Sequence, residues 1–125
     1  MEVFNVKRTF NTPEVELLPS DGILKIEGRS IPEDPGEYYD IIIEKVEEYY
    51  KNPQKTTRFD IKLEYINSGS SKYMLELLRV AKKHYDLGYD CIINWFYEED
   101  DESILELGQH YKNTIKIPFK MIDFY

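Results

Sequence analysis

The chain has 125 residues, 42% hydrophobic and 32% charged, which suits one compact domain over residues 1–125 with a real core. Its formal net charge of −8 argues against a nucleic-acid partner, because a phosphate backbone demands clustered Lys and Arg. Ile41-Ile42-Ile43 and Cys91-Ile92-Ile93 are too short to span a bilayer, and Met1-Glu2-Val3-Phe4-Asn5 lacks signal-peptide order, so a cytoplasmic protein without membrane insertion is expected.

Thr12 to Leu18 reads as a first strand, Pro19-Ser20-Asp21-Gly22 as a turn, and Ile23 to Ile31 as a second strand closing a hairpin. Asp34 is placed to cap a helix, with Pro35 at its first position and Glu37 three residues after the cap. That helix should run from Pro35 to Lys51, with Tyr39, Ile42, Ile43, Val46 and Tyr50 as its core stripe and Asn52-Pro53 as its stop. Thr56 to Ile66 alternates as a strand, Phe59, Ile61, Leu63 and Tyr65 on one face against Arg58, Asp60, Lys62 and Glu64. The turn Asn67-Ser68-Gly69-Ser70-Ser71 then feeds a helix over Lys72 to Tyr85, stopped by Leu87-Gly88.

Tyr89 to Tyr97 is the most continuous apolar strand and should be central and covered on both faces. The acidic run Glu98 to Glu102 suits a helix N-terminus and opens a helix to about Asn113. Ile115 to Phe124 reads as a last strand, which Pro118 assigns to an edge. Repeated strand–helix–strand units require right-handed crossovers and parallel pairing. The expected fold is α/β: a mixed sheet of about five strands with an antiparallel N-terminal hairpin and about three helices. Ligands or partners of such sheets favour the carboxyl ends of the strands, where the Asn67–Ser71 turn falls.

A hydroxyl in that turn can cap the helix, attack a substrate or accept a phosphate. Nucleophilic attack lacks a base. Ser68 is not in a G-x-S-x-G elbow, and His84 lies far along the helix, leaving His110 to approach only by tertiary folding. Cys91, the only cysteine, reads as a small buried residue in a strand, and the acidic run lacks the ligand spacing of a calcium loop, so no metal is expected. Phosphate acceptance fits a helix N-terminus, whose N–H groups and dipole stabilise an anion, and it is compatible with capping. Met74, Leu78, Ala81 and Tyr85 form one helical stripe; Tyr73, Leu77, Val80 and His84 form a second, which either packs internally or faces a partner.

Thr12-Pro13, Gly28-Arg29-Ser30-Ile31-Pro32-Glu33, Tyr65-Ile66-Asn67-Ser68, Trp95-Phe96-Tyr97, Asp100-Asp101-Glu102 and Gly108 occur in an order and spacing that resembles the SiaC family of regulatory phosphoproteins. These are relatives in fold of the STAS-domain anti-sigma-factor antagonists. The resemblance implies a STAS-like, non-enzymatic, bacterial partner-switching protein that needs no cofactor. A dedicated Ser/Thr kinase would phosphorylate it, a PP2C-type phosphatase would restore it, and the unphosphorylated form would bind and activate a diguanylate cyclase. The family's acceptor is a threonine after the Asn of an Asn-Thr-Ser-Ser segment. That position is Ser68 here, with Gly69 in place of the next serine and Ser70 as second choice. Asn67, Gly69, Ser70, Ser71 and Lys72 then form the phosphate environment. Tyr73, Leu77, Val80 and His84 are the expected partner surface. Two alternatives predict other partners: a STAS-type antagonist binding an anti-sigma kinase, or a small α/β enzyme or ligand carrier with a deep pocket at the strand ends.

Overall fold

Strand alternation and helical stripes become six strands and three helices in the computed structural model, which describes residues 1–125. In chain order they are β1 (Phe4–Val6), β2 (Glu14–Leu18), β3 (Ile23–Ser30), α1 (Pro35–Tyr49), β4 (Thr56–Ile66), α2 (Ser68–Asp86), β5 (Asp90–Glu98), α3 (Glu102–Ile115) and β6 (Phe119–Phe124). The strands lie side by side in that same order. β1, β2 and β3 pair antiparallel, and β3 to β6 pair parallel. Three right-handed crossovers stepping in one direction place their helices on one face of the sheet.

Burial follows from this one-sided cover. Leu24, Ile26, Phe59, Ile61, Leu63, Cys91, Ile93 and Trp95 are buried beneath the helices, while Lys25, Glu27 and Arg58 are exposed on the far face. The expectation that the Tyr89 to Tyr97 strand is covered on both faces is therefore corrected. β5 is internal, between β4 and β6, but Ile92, Asn94 and Phe96 are only half-buried, shielded by sheet neighbours such as Arg58 and Lys62 rather than by a second layer. The sheet has six strands instead of about five, because the three-residue β1 adds to the N-terminal pair.

Several boundaries also move; α1, for one, ends at Tyr49 instead of Lys51. β6 occupies an edge, as expected, but Pro118 lies just before it and so does not dictate that place; Ile115 closes α3, and Lys116 takes the left-handed conformation (φ 54°) that ends it. Pro118 still serves the sheet, its carbonyl accepting the Ile93 N–H at 3.0 Å. Tyr65 leaves the buried face altogether. The β3–β4 register shifts between Gly28 and Arg29, so Gly28 pairs with Leu63 but Arg29 with Tyr65. The extra residue, Glu64, turns the following side chain over, as a β-bulge does. Gly28 accommodates this with φ 128°, a value open to glycine.

Candidate functional site

The expected hydroxyl-rich turn is the first turn of α2. Asn67, extended at φ −81° and ψ 164°, is the cap; its Oδ1 accepts the Ser70 N–H at 2.9 Å. Its carbonyl takes the Ser70 and Ser71 N–H groups at 3.1 and 3.0 Å. The helix therefore begins four residues before the expected Lys72, and capping falls to Asn67 instead of a serine. Ser68 is the first helical residue and is exposed. The N–H groups of Ser68 and Gly69 stand at the start of the helix, where no preceding turn supplies an acceptor.

The other two hydroxyls are committed elsewhere. Ser70 is 0% exposed, and its Oγ has no hydrogen-bond partner. Ser71 Oγ donates to the Ser68 carbonyl at 2.9 Å, and the Ser71 carbonyl accepts the Tyr111 hydroxyl at 2.6 Å, tying α3 to the start of α2. Ser70 as an alternative acceptor is thus set against its burial: its hydroxyl is out of reach in the folded chain. Gly69 lies beside Pro35 at the start of α1, where an added Cβ would meet Pro35 Cγ at an ordinary 3.6 Å. Lys72 is four residues beyond Ser68 on the same helix face. Its ammonium now rests over the Tyr73 ring, 5.2 Å from the centroid.

A cleft of about 380 Å³ opens beside Ser68, between the end of β4 and the start of α3. Tyr65, Ile66 and Leu107 supply apolar wall, and Glu64 and Asp101 supply acid. Asp101 caps α3 by accepting the Ile104 N–H at 3.0 Å, so the acidic run does serve as a helix start. None of the residues lining the cleft is a histidine, cysteine or lysine that would activate the Ser68 hydroxyl.

The expected partner stripe lies under α1. Leu77 is 0% and Val80 8% exposed. Tyr73 stacks on Tyr39 with centroids 6.4 Å apart, and its hydroxyl lies so close to Gly36 that an added Cβ there would sit 2.9 Å away. His84 stacks on Tyr50 at 4.0 Å, and its Nε2 lies 2.8 Å from Glu47 Oε1. Tyr73, Leu77, Val80 and His84 are therefore part of the α1–α2 seam, which corrects their reading as a docking surface. Burial tends to raise the Glu47 carboxyl, but hydrogen bonds from Lys83 and His84 outweigh it and hold the group below its usual range. Cys91 is buried, and burial, helped by Asp90, pushes its thiol up to about 11, away from nucleophilic use.

Sequence reading missed a cluster on the other side of the cleft. The Arg29 guanidinium carbon lies 5.0 Å from the Phe10 ring centroid and 5.7 Å from that of Tyr65. Phe10 is 77% and Tyr65 49% exposed, so both rings present apolar surface beside the guanidinium. Tyr65 also lines the Ser68 cleft, so the two features are continuous.

The fold is shared with known proteins. The model of the SiaC family, described as SiaC family regulatory phosphoprotein, matches residues 6–124. The chain belongs to the SiaC family. It is 26% identical over 119 residues, 95% of this chain and 94% of the relative, to an uncharacterized protein of Pseudomonas aeruginosa strain UCBPP-PA14. Among solved structures it is similar to a chain in the crystal structure of the diguanylate cyclase SiaD in complex with its activator SiaC from Pseudomonas aeruginosa. That match has a TM-score of 0.90 and 25% identity, covering 97% of this chain and 99% of that one. It is also similar to apo-SiaC of the same organism, with a TM-score of 0.89 and 25% identity over 98% and 99% of the two chains. A SiaC family regulatory protein with an exposed Ser68 at a capped helix start is what the geometry must now explain.

Proposed function

We propose that this chain is a non-enzymatic signalling switch of the bacterial cytoplasm, reversibly phosphorylated on Ser68, whose unphosphorylated form binds and regulates a diguanylate cyclase. The observation that carries the reading is the exposed Ser68 hydroxyl at the first position of an N-capped, 19-residue helix. A phosphoryl group there gains from the free N–H groups and the α2 dipole, and Lys72 stands four residues on with the favourable acid-then-base order. It brings a charge of about −1.5 to −2 at neutral pH. On its cleft side the group meets Glu64 and Asp101. The modified surface is therefore stable on the helix side and strongly negative on the cleft side, which disfavours a partner that docks across the unmodified cleft. A cognate Ser/Thr kinase and a PP2C-type phosphatase complete the cycle. The similarity to a chain from a SiaD–SiaC complex supports a cyclase as the output partner.

Intact-mass analysis with site mapping, after treatment with the cognate kinase, tests the acceptor. One phosphate on Ser68 is expected, and its absence from Ser68 overturns the assignment. Binding of the purified diguanylate cyclase to wild type, Ser68→Ala and the phosphorylated chain tests the switch. Tight binding by the first two and weak binding by the third is expected; equal affinity for all three overturns charge switching. Retention of an anti-sigma kinase in place of the cyclase would replace the output partner.

A further inference from the structure

We infer that Arg29, seated against Phe10 and Tyr65 beside the Ser68 cleft, is a docking point for a carboxylate on the partner protein. The inference rests on the reading that a partner docks at this end of the sheet. Arg29 differs from the chain's other arginines in having no acid. Arg8 pairs with Glu27 at 3.8 Å, Arg58 with Asp60 at 3.0 Å and Arg79 with Glu76 at 3.7 Å. Arg29 Nε is buried without any hydrogen-bond partner.

Two aromatic faces attract the cation but accept none of its N–H bonds in the way an oxygen would. No carboxylate of this chain pairs with the half-buried Arg29, and an incoming oxyanion supplies that partner to the terminal nitrogens of its guanidinium. The guanidinium fork matches a carboxylate in two parallel N–H···O bonds, which a lysine cannot reproduce.

The cluster is held in place before any partner arrives. Thr9 Oγ1 accepts the Asn11 and Thr12 N–H groups at 3.2 and 3.0 Å, and the Asn11 carbonyl accepts the Ile31 N–H at 2.8 Å. This pins the Phe10 loop to the end of β3. Tyr65 is brought to Arg29 by the β-bulge, against the alternation of its own strand. Prepaid ordering of this kind lowers the cost of binding. Arginine ringed by exposed aromatic surface is also the composition that dominates protein interfaces.

Charge complementarity selects the occupant. On a chain of net charge −8, an acidic partner side chain is repelled over most of the surface and welcomed at Arg29. The occupant is therefore a segment of the partner cyclase with a single carboxylate among apolar residues, the apolar atoms lying on Phe10 and Tyr65.

The test measures affinity of the purified diguanylate cyclase for unphosphorylated wild type, Arg29→Gln, Arg29→Lys and Phe10→Ala, with thermal melts to confirm folding. Arg29→Gln is expected to weaken binding by about tenfold or more, with Arg29→Lys recovering only part. Phe10→Ala, at an exposed position that does not threaten the core, should weaken it by about threefold to tenfold. Reversing the contacting acid on the cyclase should restore binding to Arg29→Glu. Wild-type affinity in Arg29→Gln overturns the docking point while leaving the cyclase reading intact. Wild-type affinity in Arg29→Lys, with loss in Arg29→Gln, overturns the forked carboxylate. Loss of binding on dephosphorylating the cyclase assigns the anion to phosphate and overturns the carboxylate. Failure of wild type itself to bind any cyclase overturns the parent reading and this one with it.

Discussion

Ser68 and Ser70 stand two residues apart on the first turn of α2 and face opposite ways, Ser68 toward solvent and Ser70 into the core at 0% exposure. Two steps of about 100° turn one hydroxyl out and the other in. The buried Ser70 hydroxyl has no partner, so Ser70→Ala removes an unpaired polar group and leaves almost no cavity. Its thermal midpoint should match or exceed wild type, and intact mass after kinase treatment should be unchanged apart from the substitution. Ser68→Ala should abolish phosphorylation and change stability by less than about 0.5 kcal/mol, as expected for an exposed position.

Asn67→Ala removes the side chain that accepts the Ser70 N–H and so exposes the start of α2. A lost cap costs about 1 kcal/mol. Chemical denaturation should show a lower midpoint with an unchanged slope, the sign of lost stability without a changed denatured state. Asn67→Asp should recover most of the loss, because it keeps the acceptor and adds favourable charge at the helix N-terminus. An unaltered midpoint in Asn67→Ala would remove Asn67 from the capping role.

What the sequence made readable was mostly local. Asp34 was legible as the cap of α1 because acceptor and donor are three residues apart, and the structure has Glu37 N–H on Asp34 Oδ1 at 3.0 Å. Asn67 obeys the same rule but was obscured by the serines after it, whose preference for turns hid that they are already helical. The side to which Tyr65 points was not legible, because Gly28 and the register of a neighbouring strand decide it. Nor could the second stripe of α2 reveal whether a partner or α1 covers it; Tyr39 and Tyr50, which fill that space, lie on a different element. Arg29 and Tyr65 were visible only inside the motifs that carry the family resemblance, with no role attached to either. The character of Arg29 depends on Phe10 and Tyr65, each distant in sequence, and on the absence of an acid within reach.

Gly108 on α3 is a packing requirement of Trp95. An added Cβ would come within 2.7 Å of Met121 Cε and closer still to the indole ring. The indole is not free to retreat: it is fully buried, and its Nε1–H donates to the Ile104 carbonyl at 2.9 Å. Alanine is worth about 1 kcal/mol over glycine within a helix. Overpacking a tight core costs about 1–3 kcal/mol, and backbone must move here to relieve it. Gly108→Ala is therefore expected to lower stability by up to about 2 kcal/mol net of that gain, read as a fall in thermal midpoint. A rise in the midpoint would show that α3 can shift off Trp95.

The clip between Glu47 and the Lys83–His84 pair makes part of the α1–α2 seam dependent on pH. Lys83 Nζ and His84 Nε2 both reach the Glu47 carboxylate. Burial raises the carboxyl and these two bonds lower it, with a net value below the ordinary 4.5. A group depressed on folding contributes stability above its unfolded value, and that contribution disappears as pH falls through the folded value. The Glu47 side chain is 37% exposed, so solvent screens the pair and the effect is small. Unfolding free energies of wild type and Glu47→Gln should differ at pH 7 in favour of wild type. The gap should close as pH falls below about 4.5, where the unfolded carboxyl protonates, and be gone once the folded one has done so. Taking the difference between the two proteins cancels the titration of the remaining carboxylates. A gap that stays constant or widens down to pH 3 would mean that the Glu47 carboxylate does not hold the seam through its charge.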